Sequence, residues 1–415
     1  MEKSGGGGGI LSRIAAIELE MARTQKNKAT ASHLGSLKAK LCQLRRELLE
    51  PKSAGAGKGA GFECQRKGDA RVGLLGFPSV GKSSLLTGLT GVESEAAAYE
   101  FTTLTCIPGI INYNDAKIQL LDLPGIIKGA ANGAGRGRQV IATLKSCDVI
   151  MMVLDATKDD QQKAMLEHEL DIVGIRLNRR APDISFTKTK TGGLRFNSIV
   201  QQTQGFDQAA CHSVLQQYKL FNADVVVRED CTVDDFIDVI EGNRKYCPCI
   251  YVYNKIDMLD IPQIDELARR ANTVPISVNS KLNLDGLLER LWEELALVRV
   301  YTKKPRLFPD FDDPIVITPQ RGNKTSNVEN AVTILHKQLL EEFKHALVWG
   351  RSVKSSPAIC GLKHDLMDED VIQIQKMTPA ERARAAHGKK TGTTLPGTNI
   401  RDENKKKEAK KPLKS

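Results

Sequence analysis

Apolar residues in the first fifty positions recur in alternating steps of three and four: Ile14, Ile17 and Met21 in one stretch, then Leu34, Leu37, Leu41, Leu44 and Leu48. That spacing lines each set up on one face of a helix. Between them the string TQKNKATASHLG is polar and turn-prone, so the pattern predicts two helices folded back on each other in preference to one long coiled coil. PKSAGAGKGAG, residues 51–61, has nothing to bury and reads as a flexible linker. From about residue 70 the period changes to short β-rich apolar runs separated by helix-length segments: ARVGLLGF, KIQLLDL, DVIMMVLDA, CIYVYNKID and TVPISV. This alternation predicts an α/β fold, a mostly parallel sheet with helices on both faces. Functional residues then belong at the carboxyl ends of the strands.

About 90 residues separate VLDA (153–156) from CIYVYNKID (249–257), far more than one crossover helix requires. The surplus predicts an inserted α+β subdomain over about 163–247, with a hairpin turn at Gly192 and Gly193 and a helix over TVDDFIDVIEGN. Its cations Arg179, Arg180, Lys188, Lys190 and Arg195 read as solvated surface in preference to an RNA contact. After the helical LDGLLERLWEELALV, residues 298–377 resemble a small α+β domain. A strand DPIVIT, one helix over NVENAVTILHKQLLEEFKHALVWG and a strand EDVIQIQK are expected there. The chain thus divides into 1–61, 70–297, 298–377 and a Lys-rich tail, 378–415, too poor in apolar residues to fold alone.

Composition narrows the class. With 41% hydrophobic and 27% charged residues, the 415-residue chain has the balance of a globular protein of several domains. No apolar run approaches the roughly 20 residues that span a bilayer. MEKSGGGGGI lacks the apolar centre of an export signal, so a cytoplasmic, non-membrane location is expected. Nine cysteines without paired CxxC motifs read as reduced thiols. The net charge of +10 is unevenly placed: residues 1–68 and 378–415 carry +7 each, leaving −4 for the body. Basic ends on a neutral body fit arms for RNA or a ribonucleoprotein surface, or equally tails kept for solubility.

The chemistry begins at GFPSVGKSS. Gly76, Phe77, Pro78, Ser79, Val80, Gly81, Lys82, Ser83 and Ser84 satisfy G-x-x-x-x-G-K-[ST] between a strand-like and a helix-like segment. Gly76 and Gly81 let the backbone curl so that its N–H groups face phosphate oxygens at a helix N-terminus. Lys82 would meet the β- and γ-phosphates, and the Ser83 hydroxyl would bind Mg²⁺. Asp122 closes its strand as the acid that holds Mg²⁺ through water. In Asp122, Leu123, Pro124, Gly125 and Ile126, the Gly125 N–H is expected to meet the γ-phosphate. Asn254, Lys255, Ile256 and Asp257 close another strand; a carboxylate there accepts from N1–H and the exocyclic amine of guanine, a donor pair adenine lacks. Ser277 and Val278 follow the next strand and would offer a backbone amide to the guanine carbonyl.

GFPSVGKSS, AAYEFTTLT, QLLDLPGII, GRGRQVI, NKID, ALVWG and EMARTQKNKAT together resemble the developmentally regulated GTP-binding proteins, a branch of the Obg group of P-loop GTPases, over residues 10 to 377. The resemblance implies a helical hairpin, a GTPase domain with an insert and a C-terminal TGS domain of β-grasp type. It selects Thr103 over Thr102 as the threonine reaching metal and γ-phosphate, giving Ser83, Thr103 and Asp122 as the metal set and Lys82, Thr103 and Gly125 as the catalytic set. It further implies a ribosome- or rRNA-linked role in translation, and a stabilising partner of the Drg-family regulatory protein kind, the chain being a monomer or a hetero-dimer with that partner.

Ile126 stands where many GTP-hydrolysing proteins have a water-orienting glutamine, so unaided hydrolysis is expected to be slow. K⁺ is a further candidate cofactor, although relatives that recruit it carry Asn where this chain has Ser79. Lys128 reverses the acid that relatives carry there. Two functions follow: a slow GTP-hydrolysing switch, or a non-catalytic scaffold that binds guanine nucleotide for stability. Intact Lys82, Ser83, Thr103 and Asp122 favour the switch.

Overall fold

The computed structural model describes residues 7–25, 27, 30–49, 68–90, 107–123, 135–318 and 326–378. They form two compact units, one through Ala296 and one from Leu297.

The first unit is organised by a sheet of six strands. In chain order its elements are α1 (Gly7–Arg23), α2 (Ala31–Leu49), β1 (Ala70–Leu75), α3 (Lys82–Thr90), β2 (Ile107–Tyr113), β3 (Ala116–Asp122), α4 (Gly135–Ser146), β4 (Val149–Asp155), α5 (Gln161–Val173), β5 (Ile175–Leu177), β6 (Ile184–Lys188), β7 (Leu194–Ser198), α6 (Gln208–Gln217), β8 (Ala223–Val227), α7 (Val233–Glu241), β9 (Lys245–Cys247), β10 (Cys249–Asn254), α8 (Ile261–Ala268), β11 (Thr273–Pro275) and α9 (Leu284–Leu295). The sheet order is β11-β10-β4-β1-β3-β2, all parallel except β2, which runs antiparallel to β3 at the edge. The five expected runs all lie in it. β2, IPGIINY, escaped the sequence reading because it shows neither alternation nor an unbroken apolar run. β1, β4 and β10 are buried at every position, as strands covered on both faces must be. Leu166 and Leu170 of α5 and Ile175 of β5 share one core with Leu75, Ile150, Met152, Cys247 and Cys249, so the excursion from the sheet begins after β5.

That excursion has its own core. Phe206 and Phe236 are fully buried, 5.1 Å apart, with Phe196 and Phe186 edge-on against them. The expected hairpin at Gly192 and Gly193 is not one. β6 and β7 flank β8, in the order β6-β8-β7, and never pair with each other. The alternating buried pattern of ADVVV in β8 wins the central place, and a connection built on two positive-φ glycines passes around it. α7 begins with a capping box in which Thr232 and Asp235 exchange side-chain-to-backbone bonds. α1 and α2 pack through Ile14, Ile17, Leu37, Leu41 and Leu44. α2 then docks on α6 and α7. Ala39 is fully buried in the core of the insert, Lys38 pairs with Asp234 at 2.6 Å, and Arg46 pairs with Glu241 at 3.0 Å.

The second unit holds β12 (Val298–Lys303), β13 (Pro309–Ile317), α10 (Val328–Leu335), α11 (Lys337–Glu342), β14 (Phe343–Trp349), β15 (Ala358–Cys360) and β16 (Asp370–Lys376). They form a mixed five-stranded sheet, β13-β12-β16-β14-β15. The single helix expected over 327–350 is broken. His336 is extended (φ −169°, ψ 128°) and ends α10, while FKHALVW is strand β14, paired with β16 and β15. Apolar residues at Phe343, Ala346, Leu347 and Val348 satisfy a helical spacing as well as a strand, and cross-strand pairing decided between them.

Candidate functional site

Parallel pairing brings the carboxyl ends of β1, β3, β4, β10 and β11 to one edge. The turn from Gly76 to Gly81 leaves β1 there and runs into α3 at Lys82. A methyl group on Gly76 would overlap the Val153 carbonyl oxygen of β4. Gly81 has φ +96°, and a methyl group on it would overlap Asn254 Nδ2. Ser79 also takes a positive φ, 63°. Val80 is fully buried under the turn, Phe77 packs against the sheet core, and Pro78, Ser79, Ser83 and Ser84 are exposed.

Lys82 Nζ donates to the carbonyl oxygens of Gly76 and Phe77, both at 2.9 Å, which draws the ammonium over its own loop. Half-burial lowers its pKa, and the Asp122 carboxylate opposes that shift. Ser83 Oγ donates to Asp122 Oδ2 at 2.7 Å. A hydroxyl and a carboxylate oxygen side by side form the hard oxygen set that suits Mg²⁺. Leu123 is fully buried, its N–H donating to Leu74 O at 3.3 Å, so the residue after Asp122 is anchored to β1. Thr103, Pro124, Gly125 and Ile126, like Lys128, lie outside the described residues.

Asn254 joins three motifs. Its Nδ2 donates to Val80 O at 2.9 Å, while its Oδ1 accepts from Lys255 N at 2.9 Å and Val278 N at 3.1 Å. Lys255 is left-handed (φ 72°) and turns the chain so that Asp257 stands exposed. Ile256 is buried and donates to Ile276 O at 3.2 Å. Ser277 Oγ, fully buried, donates to Asp257 Oδ1 at 2.5 Å and accepts from Ser280 N at 3.2 Å. The structure therefore groups the residues from Gly76 to Ser84, Asp122, Leu123, the four from Asn254 to Asp257, Ser277 and Val278 at one sheet edge.

The sequence reading missed Asp155, at the end of β4. It is buried, accepts Lys255 Nζ on Oδ2 at 2.8 Å, and accepts Thr157 N (3.1 Å) and Oγ1 (2.7 Å) on Oδ1. Burial pushes its pKa up, but hydrogen bonds from Lys255 and Thr157 outweigh that and hold the carboxyl below its usual range. The signal was available, since VLDA ends a buried strand in an acid just as LLDL does. Beside it a cavity of about 240 Å³ is lined by Ala156, Lys158, Asp160, Tyr253, Leu259 and Arg270; no residue of the phosphate or base motifs lines it.

Comparison with known proteins gives this arrangement a family. Residues 71–186 match the family described as "50S ribosome-binding GTPase", 191–297 the C-terminal region of that domain, and 298–376 the TGS domain. Developmentally-regulated G-protein 2 of Arabidopsis thaliana is 58% identical over 368 residues, 89% of this chain and 92% of that one. Developmentally-regulated GTP-binding protein 2 of Homo sapiens is 56% identical over 368 residues, 89% of this chain and all of its own length. Among solved structures, the YchF GTPase of Schizosaccharomyces pombe aligns over 75% of this chain and 99% of its own, with 14% identity and a TM-score of 0.42. With relatives above half identity along nearly nine-tenths of its length, and a P-loop GTPase domain followed by a TGS domain, the chain belongs to the developmentally regulated GTP-binding proteins.

Proposed function

We propose that this protein binds GTP and GDP, hydrolyses GTP slowly, and acts as a cytoplasmic switch on or near ribosomes. The observation that carries the nucleotide reading is Asn254, whose one amide ties the phosphate turn at Val80 to the base-side amide of Val278. Phosphate and base subsites are thereby held at a fixed separation before any ligand arrives, and preorganisation reduces the entropic cost of binding. Lys82 exchanges its two loop carbonyls for phosphate oxygens, and backbone N–H groups from Gly76 to Ser83 receive the rest of the charge. Asp257, braced by Ser277, accepts both donors on the guanine edge and so rejects adenine. Ser83, Asp122 and, by family resemblance, Thr103 would hold Mg²⁺, which would supply positive charge against the phosphates. Gly125 supplies the γ-phosphate amide. With Ile126 where a water-orienting amide would stand, the intrinsic rate is low, and the ribosome, a regulatory partner or K⁺ supplies what is missing.

Single-turnover hydrolysis with and without ribosomes, for the wild type and Lys82→Ala, tests this reading. Stimulation by ribosomes in the wild type and its loss in the variant are expected; equal background rates throughout would leave the scaffold. The family description of residues 71–186 and the +7 charge on 378–415 support a ribosomal partner. Removing 378–415 should flatten the salt dependence of ribosome association, and an unchanged slope would free the tail of that role.

A further inference from the structure

We propose that Asp155 is a positioning residue for the nucleotide base: it holds Lys255 so that the turn from Asn254 to Asp257 stands ready before nucleotide binds. The inference rests on the guanine-nucleotide reading above and adds a residue that the phosphate and base motifs do not contain.

Three observations converge on it. The Asp155 side chain is 3% exposed, whereas the side chain of Lys255, whose ammonium it meets at 2.8 Å, is 37% exposed, so the acid is the fixed partner and the lysine the one being fixed. Asp155 is itself secured from its own loop, by both the N–H and the hydroxyl of Thr157, with Lys158 Nζ at 3.9 Å as a second cation. Finally, β4 and β10 are in register with Asp155 opposite Asn254, and Ala156 N donates to Asn254 O at 2.9 Å. The carboxylate is therefore built into the strand beside the one that carries the base motif.

The consequence follows from the conformation of Lys255. A non-glycine residue at positive φ is strained and persists only where its surroundings enforce it. The Asp155 ion pair is such an enforcement, acting on the side chain, while Asn254 Oδ1 acts on the amide. Lysine also has a long, rotamer-rich side chain, and the pair restricts it in advance. Without the carboxylate, the turn that aims Asp257 must be ordered when the base binds.

Dissociation of a fluorescent GDP analogue tests the proposal in the wild type, Asp155→Asn, Lys255→Ala and the double variant. Asp155→Asn keeps shape and an acceptor for Thr157 but removes the charge. It is expected to release nucleotide about tenfold faster, and to add nothing once Lys255 is already alanine. A residue that served folding alone would add its effect to that of Lys255→Ala, and that additivity would overturn the proposal. So would a release rate within twofold of the wild type, with the nucleotide reading left standing. Failure of the wild type to bind the analogue at all would instead remove the nucleotide reading itself. Should Asp155→Asn fold poorly, Thr157→Val, which loosens the acid without touching its charge, is expected to give about a threefold acceleration; no acceleration in a folded Thr157→Val protein would count against the proposal.

Discussion

Gly81→Ala probes the joint between the phosphate turn and the base motif. Gly81 sits at φ +96°, where an added methyl group would overlap Asn254 Nδ2. Two penalties follow. Holding alanine at such a backbone costs about 1–3 kcal/mol, and displacing the Asn254 amide from Val80 O breaks a buried hydrogen bond, about 1–3 kcal/mol more. The sum, about 2–6 kcal/mol, divides between folding and binding. A share of about 2 kcal/mol in binding weakens GDP affinity roughly 30-fold, and a similar share in folding lowers Tm by about 4–8 °C. Gly193→Ala is the control: its φ is +70°, but nothing lies within 4 Å of the added methyl group. It should cost stability without changing nucleotide affinity. Titration with a fluorescent GDP analogue, alongside thermal unfolding with and without GDP, reads both quantities. If Gly81→Ala binds GDP within twofold of the wild type, the turn and Asn254 are not coupled as described.

Three further perturbations separate the parts. Ala39→Arg forces a guanidinium into the fully buried contact between α2 and the insert; leaving that charge unpaired costs about 3–5 kcal/mol, so hydrogen exchange across residues 31–49 should accelerate, and unchanged protection would disprove the docking. Phe206→Ala empties the centre of the four-ring cluster and should cost the insert about 3–5 kcal/mol, yet leave GDP affinity within twofold, because the six-stranded sheet has its own core. Asp160, bonded by the Tyr253 hydroxyl at 2.6 Å and paired with Arg270 at 2.7 Å, has its carboxyl pKa lowered, first by that hydroxyl and then by the guanidinium. Its contribution is present above about pH 4, the unfolded carboxylate value, and is lost as pH falls through the lower folded value; Asp160→Asn should therefore flatten the stability profile below pH 4, and an unaltered acid limb would refute it.

The sheet and its motifs were legible because they are local. A buried parallel strand needs an unbroken apolar run, a glycine-rich turn needs glycines at fixed offsets, and polar motifs stand at or just past strand ends, so GFPSVGKSS, LLDL and NKID could be read from spacing alone. Long-range pairing leaves no such trace. Whether Gly192 and Gly193 closed a hairpin depended on whether β6 found β7 or β8, and FKHALVW fitted helix and strand alike until β16 lay beside it. The pairings around Asp155 were hidden for the same reason. Its partner Lys255 is a hundred residues away, and only adjacency of β4 and β10 turns two unremarkable charges into an ion pair. Residue type and period determined which segments form strands and which chemistry stands at their ends; the packing of distant strands decided which of those ends touch, because hydrogen bonding between strands and exclusion of water act on neighbours in space and not in sequence.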